Sequence, residues 1–239
     1  MPEETKNEEE PLSRALFAGS AVIHRQAERR PFQVVFLKAE LPREAYVEYL
    51  GRLSYVYAAL EETDESLRDD PLAGRMFSPE LHRSAAIDRD MRFFTDSDWR
   101  NRFKPSPATE AYADRIRWTG RELPAAFAAH QWLRYLGNVL AQRVLLRIMD
   151  KAYGLTDDGV AFYKFDDIAD PRAYLGEYHA RMNSMPLDAA TRAAVVEEGN
   201  KAFSLQIDFT DELAADLGIT GPGEEEAERV LSELAADHP

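Results

Sequence analysis

Two clusters in this sequence carry residue types suited to chemistry. The first is His24 with Glu28. At a spacing of four the pair shares one helix face, and the carboxylate comes within reach of one ring nitrogen of the imidazole. A metal-binding imidazole typically has such a partner, which fixes its tautomer and raises its basicity. The same spacing also describes an ordinary surface pair, and spacing alone does not separate the two. The second cluster lies in WLRYLGNVLAQRVLLRIM, Trp132 to Met149. Its first half sets Arg134, Gly137 and Asn138 into an otherwise apolar helix, the composition of a turn that serves a ligand. Its second half, Val139 to Met149, is a run of good helix formers without glycine, which predicts a continuous helix that serves packing.

Other chemistries lack their residues. None of the five histidines follows a glutamate by three positions, so the Glu-x-x-His pairs of a di-iron bundle are missing. There is no G-x-S-x-G elbow. The one glycine cluster, Gly221-Pro222-Gly223, follows no strand and makes no dinucleotide site. With no cysteine there is no disulfide, thiolate nucleophile or Cys-ligated zinc, which fits a reducing compartment. His82 and His179 read as capping, paired or solvent-facing residues, His130 as a hydrogen-bonded core residue, and His238 as terminal.

The elements that must position these residues are helical almost throughout. Residues 1–10 read as a disordered acidic tail. Leu12, Leu16, Ile23 and Ala27 follow helical spacing, with Phe17, Ala21, His24 and Glu28 on an adjacent stripe. A second helix starts after Pro42 and carries Tyr46, Leu50, Leu53, Tyr57 and Leu60. Ser78-Pro79 and Ser106-Pro107 predict helix starts, each a serine cap with proline at the first helical position. Pro124 opens the segment leading into Trp132–Met149, Asp170-Pro171 begins another helix, and Asp188 caps a long one ending near Leu217. No segment alternates with a strand period. The fold class is all-α, a bundle-like single domain over residues 11–217, followed over 218–239 by a linker and a short acidic helix, Glu224 to Ala236.

The net charge of −14 argues against nucleic acid and anionic membrane as partners. No apolar run approaches the roughly 20 residues needed to span a bilayer. MPEETKNEEEP is too polar and acidic for a signal peptide. The expectation is a soluble, cytoplasmic protein.

Taken together, four segments resemble the haem oxygenase family: HRQAE at 24–28 its proximal helix, PELHRSAAIDRDM at 79–91 a further helix, AHQWLRYLGN at 129–138 its distal helix, and ARMNSM at 180–185 a later helix. Order and spacing agree over roughly residues 12–217. The resemblance implies an all-α fold with haem held between a proximal and a distal helix. It implies His24 as the axial iron ligand and Glu28 as its hydrogen-bond partner, leaving the other iron face open for O2. It implies Tyr57, Arg134, Gly137 and Asn138 as the catalytic surroundings of the bound oxygen, and Trp132, Ala141, Gln142, Arg181 and Phe203 as further haem-binding positions. The implied reaction is oxidative cleavage of haem to biliverdin, carbon monoxide and iron, with electrons from an external donor such as a ferredoxin or a reductase. Arg25, Arg29 and Arg30 offer a local basic patch for such a donor, or are ordinary solvated charges.

The departures from the family pattern are concentrated at the site. Asn138 stands where the family usually has aspartate, and an amide holds a water but cannot cycle through a carboxylate. Leu140, Ala141 and Gln142 replace a serine and two glycines. That change favours a straighter helix by roughly 1 kcal/mol per glycine replaced and predicts side chains, Gln142 above all, where haem would lie. Positions usually basic, which hold the haem propionates, are Phe17, Leu175 and His179, and a tyrosine is Trp132. Losing two charge-assisted contacts at about 1.5–3 kcal/mol each weakens binding. Three readings follow: a divergent haem oxygenase with reduced activity, a non-catalytic haem sensor or carrier, and a pseudoenzyme acting through protein contacts.

Overall fold

The computed structural model describes residues 10–236. The acidic tail expected over 1–10 lies, apart from Glu10, outside the described residues. In chain order the helices are α1 (Leu12–Glu28), α2 (Pro31–Leu37), α3 (Arg43–Ser66), α4 (Ser84–Phe94), α5 (Trp99–Arg102), α6 (Pro107–Glu122), α7 (Phe127–Gln131), α8 (Gly137–Tyr153), α9 (Pro171–Asn183), α10 (Ala189–Asp216) and α11 (Glu224–Ala236). No strand occurs among the described residues. The all-α expectation is met. No helix among them is long and apolar enough to cross a membrane.

Two helix pairs organise the core. The long α3 packs along α6, and α1 packs along α10. Tyr46, Leu50, Leu53, Val56, Tyr57 and Leu60 of α3 are fully buried, each large apolar side chain contributing about 1.5–3 kcal/mol. The α1–α10 approach depends on missing side chains. A methyl at Gly199 would stand 2.4 Å from Leu16 Cδ1, and one at Gly19 would stand 2.4 Å from Val196 Cγ1. Leu12, Leu16 and Ala27 form the buried side of α1, while Phe17 is 59% exposed.

Three expected caps are present. Ser106 Oγ accepts from Thr109 N at 3.3 Å, Asp188 Oδ1 from Thr191 N at 2.7 Å, and Asp170 Oδ1 from Arg172 N at 2.9 Å. At Ser78-Pro79 the helical start is present only as a 3-10 turn, and the serine cap is not made. Ser78 Oγ donates back to Met76 O at 2.9 Å, a short 3-10 turn covers Pro79–Leu81, and α4 begins only at Ser84. Its cap comes from another helix: the Glu61 carboxylate of α3 accepts from the backbone amides of Arg83 and Ser84. The α4 amides are thus capped by a carboxylate delivered by packing.

Between α7 and α8 the chain winds as a π-helix over Trp132–Leu136. The continuous helix expected over Val139–Met149 lies within α8, and the segment before it departs from α winding. Such turns insert an extra residue into an α-helix and occur frequently at functional sites.

Candidate functional site

A cavity of about 590 Å³ opens between α1, α2, the Leu133–Leu145 segment, α10 and α11. From α1 and the residue after it the cavity is lined by His24, Arg25, Ala27, Glu28 and Arg29. His24 and Glu28 are a little over half buried, with Nε2 to Oε1 at 3.4 Å. The imidazole also meets the Phe203 ring of α10, centroids 4.9 Å apart and planes inclined by 31°. The pair is thus part of a concave wall.

The facing residues come from Leu133, Arg134, Gly137, Asn138, Ala141, Val144 and Leu145. From Arg134 to Leu145 they recur at three- and four-residue steps, so one helical face presents them. Gly137 matters here for what it lacks: a Cβ built on it meets no atom within 4 Å. The backbone is bare on a wall that has room in front of it.

Behind this wall lies a layer of buried polar groups. Arg134 is 6% exposed, its guanidinium donates to Gln206 Oε1 and stands 5.3 Å from the Tyr57 ring centroid. Tyr57 is fully buried; its hydroxyl donates to Arg134 O at 2.9 Å and accepts from Asn138 Nδ2 at 3.3 Å. Burial pushes the Tyr57 phenol above its ordinary pKa, so it stays a neutral donor. Arg134 Nε and the Tyr112 hydroxyl are buried without a hydrogen-bond partner among the described residues.

Deeper still, His130 Nε2 sits 2.8 Å from Glu198 Oε1, and Arg115 and Thr119 donate to the same carboxylate. Burial alone would raise the Glu198 pKa, but the hydrogen bonds from His130, Arg115 and Thr119 overcome it and hold the carboxyl at about 2. His130 is the buried, hydrogen-bonded residue that its setting in the sequence suggests, and His82 is paired, its Nε2 2.8 Å from Asp64 Oδ2.

Of the residues expected at the site, His24, Glu28, Arg134, Gly137, Asn138, Ala141 and Phe203 line the one cavity. Tyr57 lies one layer behind it, and Trp132 packs edge-on against Phe203, centroids 6.4 Å apart. Two are elsewhere. Gln142 Oε1 accepts from Phe165 N at 3.3 Å, one residue around the helix from Ala141, so it does not fill the cleft as its sequence position suggested. Arg181 donates to Phe77 O at 3.3 Å and Ser78 Oγ at 3.0 Å, and is spent on that loop.

The cavity also has walls that the sequence reading missed. Phe32, Gln33, Phe36 and Leu37 come from α2, Tyr49 from α3, Tyr163 from the loop after α8, and Gln206 from α10. A seven-residue helix is too short to declare itself by periodicity, and Pro31 at its first position was the available signal. Gln206 follows Phe203 by three and so shares its face.

Residues 10–212 match the family described as Heme oxygenase. The chain is 35% identical over 206 residues to Heme oxygenase 1 of Synechocystis sp. (strain ATCC 27184 / PCC 6803 / Kazusa), covering 86% of each chain. It is 34% identical over 216 residues to Heme oxygenase 1 of Gallus gallus, covering 89% of this chain and 73% of that one. Its structure resembles the crystal structure of heme oxygenase-1 from Synechocystis sp. PCC6803 in complex with heme, with a TM-score of 0.82, 32% identity, and coverage of 95% of this chain and 99% of that chain.

Proposed function

The chain belongs to the haem oxygenase family, and we propose that it binds haem in this cavity and cleaves it to biliverdin, carbon monoxide and iron. The observation that carries the reading is the meeting of His24 and a bare Gly137 in one cavity of about 590 Å³. The residues present fit the group. Phe32, Phe36, Leu133, Val144 and Leu145 give the cavity apolar walls, and Arg25 lines it with positive charge for the haem carboxylates. Bound there, haem supplies both the iron at which O2 is activated and the porphyrin carbon that is oxidised.

His24 would hold the iron through its imidazole, and Glu28, whose Oε1 lies 3.4 Å from Nε2, would orient that ring and fix its tautomer. Phe203, braced by Trp132, sets the plane of that imidazole. On the far wall Gly137 would admit the ligand to the backbone, and Ala141, one turn on, presents only a methyl along the same face. Asn138 and Tyr57 form a hydrogen-bonded pair whose phenol is a neutral donor. Water held against Asn138 and Tyr57 would carry protons to the ligand. Because an amide neither gains nor loses a proton near neutral pH, that transfer relies on water and Tyr57, and turnover is slowed. The same amide favours a second reading, a haem carrier without turnover. Electrons come from a ferredoxin or a reductase in the cytoplasm.

A hemin titration followed by an electron donor in air tests these readings in turn. Binding gives a sharp Soret band; with ferredoxin and its reductase the band decays as bilin absorbance appears. A stable band under reducing, aerobic conditions would leave only the carrier, and no band at all would refute both.

A further inference from the structure

Helix α11 lies beyond residues 10–212, the segment matched to the family, yet Glu228, Leu231 and Ser232 line the cavity. Its attachment is specific. Ala227 and Val230 are 2% and 7% exposed, and with Leu231 they form a stripe at i, i+3 and i+4 that faces inward against α2. At one end of the stripe Lys38 Nζ meets Glu226 Oε1 at 2.6 Å, and Arg29 of the α1 end donates to Glu228. The linker is drawn in as well: a methyl at Gly221 would stand 2.7 Å from Pro31 Cα.

We infer that α11 is part of the haem-binding site, with Leu231 as an apolar wall and Glu226 and Glu228 as its anchors on Lys38 and Arg29. This rests on the function proposed above. The space left decides between a wall and a plug. With α11 docked the cavity still measures about 590 Å³, inside the range of roughly 300–1,000 Å³ typical of small-molecule sites. A helix that filled the site would leave no such volume. Its hold is modest, because exposed ion pairs contribute little and the buried stripe is short. A ligand that touches a weakly docked helix must stabilise the docking by as much as the docking strengthens the ligand.

The test is made on the full chain in both directions of that linkage. In the wild type, hemin slows amide exchange over residues 224–236. Glu226→Lys with Glu228→Lys, which reverses both anchors, and Leu231→Asp, which spoils the wall and leaves the anchors, each weaken hemin about fivefold or more by Soret titration. Unchanged or tighter hemin binding in both variants, with exchange in α11 indifferent to hemin, overturns the inference. If a variant fails to fold, as circular dichroism would show, the wild-type exchange measurement still decides. A wild type that binds no hemin is a different failure, that of the proposed function itself.

Discussion

On the α1 side of the cleft, His24 and Glu28 are about 40% exposed and are held by each other and by the Phe203 ring. On the α8 side, Arg134 is 6% exposed and Tyr57 fully buried, and Asn138, Gln206, His130, Glu198, Arg115 and Thr119 extend the polar layer through α6, α7 and α10. One wall carries its chemistry on an accessible side chain of an ordinary helix. The other carries it on a backbone held in place from behind. The accessible group is replaceable without cost to the fold, whereas the supports of the backbone are parts of the fold. Function and stability should therefore separate on the first wall and move together on the second.

The sharpest separation is expected at His24. His24→Ala should weaken hemin more than about 100-fold, while the urea-unfolding free energy stays within about 0.5 kcal/mol of wild type. A comparable loss of stability would erase the distinction between the walls.

Next comes Glu198. Its carboxyl is held at about 2 in the fold and returns to an ordinary value near 4.5 on unfolding. A depressed acid stabilises the fold above the unfolded value and loses that contribution as pH falls towards the folded one. Glu198→Gln should cost about 3 kcal/mol at neutral pH, the gap to wild type narrowing from about pH 5 towards pH 3. A pH-independent gap in urea unfolding would show that charge is not what holds this layer.

A smaller effect is expected at Asn138. Asn138→Asp restores a group that can pass a proton, and bilin formation should rise about tenfold with hemin affinity unchanged. No rise would place the slow step elsewhere. Smallest of all is Gln142→Ala, which removes one hydrogen bond to the Phe165 amide, about 1 kcal/mol, and leaves hemin affinity as it was. Tighter binding would mean that Gln142 obstructs the cleft after all.

Much of this was legible because it is local. The spacing of His24 and Glu28, the caps at Ser106, Asp170 and Asp188, and the apolar steps along α3 are each set within a few residues. What escaped the sequence was set by packing. Glu61 caps α4 because α3 brings it there, a contact 22 residues away in sequence. Gln142 leaves the cleft because the Phe165 amide offers a partner on the next face of the helix. Helix α11 reads as a solvated acidic segment until Lys38 and Arg29 are placed opposite it.

The π winding at Trp132–Leu136 has a consequence for how such a site is lost. If those five residues tightened into α winding, each side chain after them would swing by about 100° around the axis and shift by about 1.5 Å along it. Gly137, Asn138 and Ala141 would then turn away from the cleft that His24 faces. Aim, in this wall, is a matter of phase. Substitutions that change the winding of 132–136 can blind the site without altering any residue that meets the ligand.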